Sequence, residues 1–183
     1  MHNKQNFFTL VTGNTGKLVE FKRLLPTNWT YDHHDLDLTE IQSLDNNEIV
    51  TAKVKAAYAA LQRPVVVEDA TAGLDDLGGL PGPFIKFFVN QLGDDALYKL
   101  RGQSAATVIC TIGYYDGISL LLATGTVHGT AVASRGEFGF GFDRCFMPDG
   151  QTKTYAEMSP AEKDVLSHRR LAVDNLVAQL KRL

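Results

Sequence analysis

Phe7-Phe8-Thr9-Leu10-Val11-Thr12-Gly13-Asn14-Thr15-Gly16-Lys17 is the stretch that decides the fold. Its first half is apolar and β-prone, residues 13–16 break it, and Leu18, Phe21 and Leu25 then follow at the spacing of one helical face until Pro26. A strand that ends in a glycine loop just before a helix gathers free backbone N–H groups and the positive end of the helix dipole at one point. Lys17 adds a full charge there. Anions bind such places, although a plain tight turn has the same pattern. A P-loop needs a further glycine five residues before Gly16, where this chain has Val11, so a Walker-type nucleotide site is excluded.

Outward from this unit, residues 29–38 read as mixed strand and loop. Asp45-x-x-Glu48 reads as a capping box opening a helix, with Ile49, Ala52, Ala56 and Ala59 or Ala60 at helical spacing until Pro64. Val65-Val66-Val67 is a short, buried strand running into Glu68-Asp69. A glycine-proline loop over residues 78–83 precedes helical stretches at 84–92 and 94–100. Residues 105–115 and 118–133 flank Asp116-Gly117, a hairpin signal. A glycine-rich aromatic loop, 136–142, leads to a turn at 148–150. Ser159-Pro160-Ala161-Glu162 combines a capping box with proline at the first helical position, and Ser167 precedes a longer helix with Leu171, Leu176 and Leu180. Strands and helices alternate early and antiparallel strands come late, which predicts an α/β fold, a mixed sheet flanked by helices, over one domain, 1–183.

A chain of 183 residues, 44% hydrophobic and 21% charged, has the composition of an ordinary globular protein. The polar start, residues 1–6, reads as no signal peptide, and no apolar run approaches the ~20 residues a bilayer requires. The expected compartment is the cytoplasm, with no membrane partner. The net charge of −3 argues against a nucleic-acid partner, which favours a basic face. Cys110 and Cys145 are too few for a disulfide scaffold or a zinc site and read as core thiols.

Four places carry candidate chemistry. The glycine loop with Lys17 is an anion cradle. Glu68 and Asp69, at the carboxyl end of a buried strand, stand where α/β proteins hold ligands, and they offer the hard oxygens that Mg²⁺ takes beside phosphate and water. Phe138-Gly139-Phe140-Gly141-Phe142-Asp143 alternates aromatic rings with glycines, which suits stacking on a purine and also suits a small core under a loop. Ser167-His168-Arg169-Arg170 has donors for a base or a phosphate, or a plain cationic helical face. His33-His34-Asp35 reads as surface, since no third metal ligand accompanies it.

Taken together, these segments resemble the inosine triphosphate pyrophosphatase family over residues 10–180. The match includes Val11-Thr12-Gly13-Asn14 with Lys17, Asp37-Leu38-Thr39-Glu40-Ile41-Gln42, Val67-Glu68-Asp69, Leu77 through Lys86, Phe140-Gly141-Phe142-Asp143, Thr154 through Met158, Glu162-Lys163 and Ser167-His168-Arg169. The resemblance implies an elongated mixed sheet in two lobes with an active-site cleft between them, a homodimer, and hydrolysis of non-canonical purine triphosphates (ITP, dITP, XTP) to monophosphate and pyrophosphate. It gives Thr12, Gly13, Asn14, Thr15, Gly16 and Lys17 to the triphosphate, and Glu40, Glu68 and Asp69 to Mg²⁺, with Asp69 also the general base. Lys53 and Lys163 match substrate-contacting lysines. Phe140, Gly141, Phe142 and Asp143, with His168 and Arg169, match the base pocket, where Arg169 would donate to a 6-keto oxygen. Ala70, at a substrate-facing position, replaces the family's usual serine or threonine, so that hydroxyl is absent or moved to Thr71; Phe142 replaces a frequent tryptophan. Rival readings are a pyrophosphatase for another modified nucleotide and a non-catalytic nucleotide sensor.

Overall fold

The computed structural model describes residues 7–183; the polar start read above as no leader lies outside the described residues. The elements follow in the order β1 (Phe7–Val11), α1 (Thr15–Leu24), β2 (Thr30–His34), α2 (Asn46–Leu61), β3 (Val65–Leu74), β4 (Pro81–Gly82), α3 (Ile85–Leu92), α4 (Ala96–Arg101), β5 (Ser104–Tyr115), β6 (Leu120–Ala131), β7 (Phe146–Pro148), α5 (Pro160–Leu166) and α6 (His168–Leu180). The strands form one seven-stranded sheet in the order β2-β1-β3-β5-β6-β7, with β4 paired to β3. β1 runs parallel to β2 and to β3, with Val11 opposite His34 on one side and Val67 on the other. β3 with β4 and β6 with β7 are antiparallel. The sheet is therefore mixed, as the alternation of elements predicts.

Parallel neighbours need long crossovers, and α1 and α2 supply them. The chain leaves β1 toward β2 on one side, then returns through α2 to β3 on the other. The strand order reverses at the carboxyl end of β1, and such a switch point is where open α/β sheets leave a crevice for ligands. The glycine loop occupies that end of β1.

Two compact units make up the chain. One contains the residues up to Asp69 together with Cys110–Gly125 and Arg169–Leu183; the other contains Ala70–Ile109 and Thr126–His168. In the first, Phe8, Leu10, Phe21 and Leu24 pack with Ile112, Val173 and Leu176, while Val11, Val65 and Val67 pack with Val50, Val54 and Ala57. The second closes around Leu74, Leu97, Val108, Phe146, Tyr155 and Met158. Both cysteines are buried free thiols in these cores, as read from the sequence.

The structure corrects several local readings. Asp45 caps α2 by accepting the Asn47 N–H, but Glu48 takes the Ser43 hydroxyl at 2.7 Å rather than closing a capping box. The buried side of α2 is Ile49, Val50, Val54 and Ala57, leaving Ala56 exposed, because the valines outbid alanines for the apolar contact. On α6, Leu171 is 39% exposed, and Ala172 and Val173 take the core side beside Leu176 and Leu180. The Ser159 box does close: its hydroxyl accepts the Glu162 N–H, and the Glu162 carboxylate accepts the Ser159 N–H. The largest correction concerns β3, which does not stop at Val67. It runs through Glu68 and Asp69 to Leu74, although its pairing with β1 ends at Val67.

Candidate active site

That continuation of β3 sets the chemistry. Neighbouring residues of a strand point to opposite faces, so the adjacent carboxylates enter different surroundings instead of turning toward one centre. Glu68 is 3% exposed. Its Oε1 accepts from the Arg169 guanidinium at 2.8 Å and from the Cys110 thiol at 3.3 Å, and its Oε2 lies 2.7 Å from Lys17 Nζ. The other arm of the Arg169 guanidinium donates to Glu20, a buried carboxylate on α1. Glu20, Arg169, Glu68 and Lys17 thus alternate in sign along one chain of contacts. Every carboxylate in it has a cation, which is the condition under which buried charge is tolerated.

Burial alone would raise the Glu68 carboxyl, but Arg169 and Lys17 outweigh it and hold Glu68 well below the usual carboxylate range. Burial likewise works against the Lys17 ammonium, yet Glu68 and Asp69 keep its pKa above the ordinary lysine value. Asp69 feels Lys17 and Lys53 but makes no ion-pair contact with a cation among the described residues. Burial pushes it up to about 6, with the pull of Lys17 partly offset by repulsion from Glu68. One carboxylate is locked as an anion, and its neighbour is tuned to hold a proton near neutrality.

Two of the backbone donors in the loop before α1 are used locally, and the Gly13 N–H stays open among the described residues. The Asn14 side chain accepts the Lys17 N–H at 3.0 Å, and the Asn14 N–H turns inward to the Thr12 hydroxyl at 3.1 Å. Gly13, Asn14 and Thr15 are exposed. Glu40 and Lys53, both given to the site by the sequence, pair with each other at 2.5 Å. Among the described residues, no three carboxylate, imidazole or thiolate side chains converge as a ready metal cage. Mg²⁺ commonly takes only one or two carboxylates and completes its shell with phosphate oxygens and water. Asp69 and Glu40 fit that demand: each adds to the negative charge felt by the other. Glu68 fits it less well than the sequence reading supposed, because both of its oxygens already face cations. His33 and His34 share no metal cluster among the described residues; His34 Nε2 lies 2.7 Å from the Arg63 guanidinium.

The second unit holds a different constellation. The Asp143 carboxylate accepts the Phe140 N–H at 2.8 Å and Lys163 Nζ at 2.7 Å, and both side chains of this ion pair are nearly buried. Lys163 Nζ lies 5.4 Å from the centre of the Phe140 ring and 5.2 Å from that of Tyr155, within cation–π range. Gly139 has φ +76°, and a Cβ on it would come within 2.1 Å of the Asp143 carboxylate, so the aromatic loop needs glycine there. His168 stacks on Tyr155 with centroids 5.8 Å apart and touches Phe142 at 5.8 Å. Phe142 is 8% exposed and packs edge-on against Phe146, so it is mostly core, and Phe140 keeps the more open ring.

Two of the expected site residues have surroundings that the sequence did not disclose. Arg169, read as a donor to a purine, has its guanidinium between Glu20 and Glu68 in the first unit, while its chain neighbour His168 belongs to the second. Ala70 lies in β3, and Thr71, the suggested substitute for its missing hydroxyl, is 6% exposed and points to the opposite strand face. By the same alternation Thr71 shares the strand face of Asp69. Sequence reasoning missed Glu20, and it gave Tyr155 no role beyond its place in a matched motif. Glu20 is one turn beyond Lys17 and flanked by Phe21, a position that marks a half-buried helix face.

The chain is similar to known proteins along most of its length. A model of the Ham1 family matches residues 8–179. The inosine triphosphate pyrophosphatase of Yarrowia lipolytica is 44% identical over 172 residues, covering 91% of each chain. That of Schizosaccharomyces pombe is 40% identical over 171 residues, 91% of this chain and 90% of the relative. The structure of the Staphylococcus aureus Ham1 protein superposes with a TM-score of 0.76 at 27% identity, covering 96% of this chain and 98% of that one. Matched by the family model, in sequence and in fold along nearly its whole length, the chain belongs to the Ham1 family.

Proposed function

We propose that this protein hydrolyses non-canonical purine nucleoside triphosphates (ITP, dITP and XTP) to the monophosphate and pyrophosphate. Supporting it are relatives named inosine triphosphate pyrophosphatase. The observation that carries the mechanism is the split pair on β3, Glu68 fixed as an anion and Asp69 raised to about 6. Neighbouring carboxylates whose environments push them apart mark acid–base machinery.

In this mechanism the open N–H groups of the glycine loop and the Lys17 ammonium take the phosphate chain, so that pyrophosphate leaves from groups that already hold it. Asp69 accepts the proton of the water that attacks the α-phosphorus. Glu68 and Glu20, tied to Arg169, keep Lys17 placed and charged. Mg²⁺ is the proposed cation, held by Glu40 and Asp69 with phosphate oxygens, and when bound it would offset triphosphate charge that otherwise repels a nucleophile. Lys53 leaves Glu40 to contact the substrate. In the second unit, the Phe140 ring is the stacking face for the base, and Lys163 and His168 are its donors. A 6-keto oxygen accepts from such donors; the 6-amino group of adenine does not, and a mismatched buried donor costs a large factor in kcat/KM. The protein is further proposed to act in the cytoplasm as a homodimer.

The test is a panel of ITP, XTP, dITP, GTP and ATP with Mg²⁺, scoring pyrophosphate and orthophosphate separately. Equal pyrophosphate and monophosphate, loss of activity in EDTA, and ITP and XTP far above ATP are expected. Stepwise orthophosphate release would replace the reading with a phosphatase, and tight binding without turnover would replace it with a sensor.

A further inference from the structure

We propose that His33 is a positioning residue for the glycine loop: seated on the Thr12 carbonyl, its imidazole fixes the Thr12–Gly13 peptide so that the Gly13 N–H points at the phosphate chain. This rests on the reading of that loop as the phosphate cradle. His33 Nε2 lies 2.7 Å from the Thr12 carbonyl oxygen. A carbonyl only accepts, so Nε2 carries the hydrogen, which holds for one neutral tautomer and for the imidazolium. In a trans peptide the C=O and the next N–H point in opposite directions. Anchoring the Thr12 oxygen on His33 therefore aims the Gly13 N–H away from β2. That N–H makes no hydrogen bond among the described residues.

The anchor is one of three from the end of β2. The Thr12 N–H donates to the His34 carbonyl at 3.1 Å. Gly13 lies against Asp35, so closely that a Cβ would come within 2.6 Å of its Oδ1. The peptide needs this anchoring because its second residue is glycine, for which both signs of φ are accessible and a flip of the plane is easy. Parallel pairing of β1 with β2 in a register that sets Val11 beside His34 brings these three residues to the loop. The histidine pair that carries no metal cluster thus has a use: one ring holds the loop.

The experiment compares His33→Ala and His33→Gln with the unmodified protein in three readouts: KM and kcat for ITP, the Kd of inorganic pyrophosphate by calorimetry, and Tm. Removing one hydrogen bond that orders a donor should raise KM and the pyrophosphate Kd by about three- to tenfold, with kcat within about twofold. Glutamine keeps an N–H donor and should recover most of the loss. Unchanged KM and Kd in His33→Ala would overturn the proposal, as would falls in kcat and Tm without a rise in Kd and without rescue by glutamine. Failure of the unmodified protein to bind pyrophosphate would overturn it too. If the unmodified protein binds pyrophosphate but does not hydrolyse ITP, the pyrophosphatase reading fails alone, and the calorimetry of the variants still decides the role of His33.

Discussion

The two charged clusters of this protein solve opposite problems. In the first unit, two cations and two carboxylates alternate through Glu20, Arg169, Glu68 and Lys17, and a fifth charged group, Asp69, stands beside them without a matched partner. In the second, a single buried pair, Lys163 with Asp143, is walled by Phe140 and Tyr155. The first arrangement is dense in fixed charge and suits a polyanion whose reaction moves a proton. The second sets one buried ion pair among aromatic rings, which suits an uncharged heterocycle. The difference teaches that charge count alone does not mark a catalytic group. Within the first cluster, the best-paired carboxylate is held as an anion, and its neighbour has its pKa raised to about 6.

Breaking the unpaired member should have the largest effect. Asp69→Asn is expected to lower kcat by about 10²–10⁴, the span of a lost general base, with the Kd for pyrophosphate little changed. Single-turnover kinetics with ITP checks it, and a near-normal kcat removes Asp69 from the mechanism. Breaking the paired side should act on stability instead. Arg169→Met leaves Glu20 and Glu68 buried without their shared cation and should cost about 3–5 kcal/mol, read as a fall in denaturation midpoint.

The same contrast is visible in pH dependence. Asp69 has its folded-state pKa raised from 3.8 to about 6. The sign follows: its contribution to stability is full below the unfolded value and is lost as pH rises through about 6. Asp69→Asn should therefore stabilise the metal-free protein by about 1–3 kcal/mol at neutral pH and by little at pH 4. Carboxyl ¹³C titration of the metal-free protein should show Asp69 with a midpoint near 6, while Glu68 stays ionised through the ordinary carboxylate range. A Glu68 that titrates with Asp69 would dissolve the distinction between them. In the second unit the effect is smaller. Phe140→Ala should raise KM for ITP by about tenfold, in keeping with a base stack of roughly 1–3 kcal/mol, and should leave pyrophosphate inhibition unchanged.

How much of this the sequence disclosed depends on the distance between partners. The strand, glycine loop and helix at residues 7–24 were legible because period, breaker and Asn14 cap all lie within one local stretch. The Ser159 box was legible for the same reason. The passage of β3 through Glu68 and Asp69 was not, since adjacent charges ordinarily end a buried strand; here Lys17 and Arg169, remote along the chain, make the burial of Glu68 tolerable. Arg169 hid its ion pairs by the same logic. Beside His168 in a polar helix start it has the local pattern of a ligand donor, and only the fold reveals Glu20 and Glu68 around it. Family motifs located the residues of the candidate site, while the pairings that set their protonation are long-range and belong to the tertiary structure.

The central claim is that water attacks the α-phosphorus and pyrophosphate leaves. Hydrolysis of ITP in H₂¹⁸O with Mg²⁺, followed by ³¹P NMR and mass spectrometry of both products, tests it most directly. The expected result is one ¹⁸O in every inosine monophosphate, none in the pyrophosphate, and the two products in equal amounts. Label in pyrophosphate would move the attack to the β-phosphorus, and label in orthophosphate beside inosine diphosphate would contradict the claim outright.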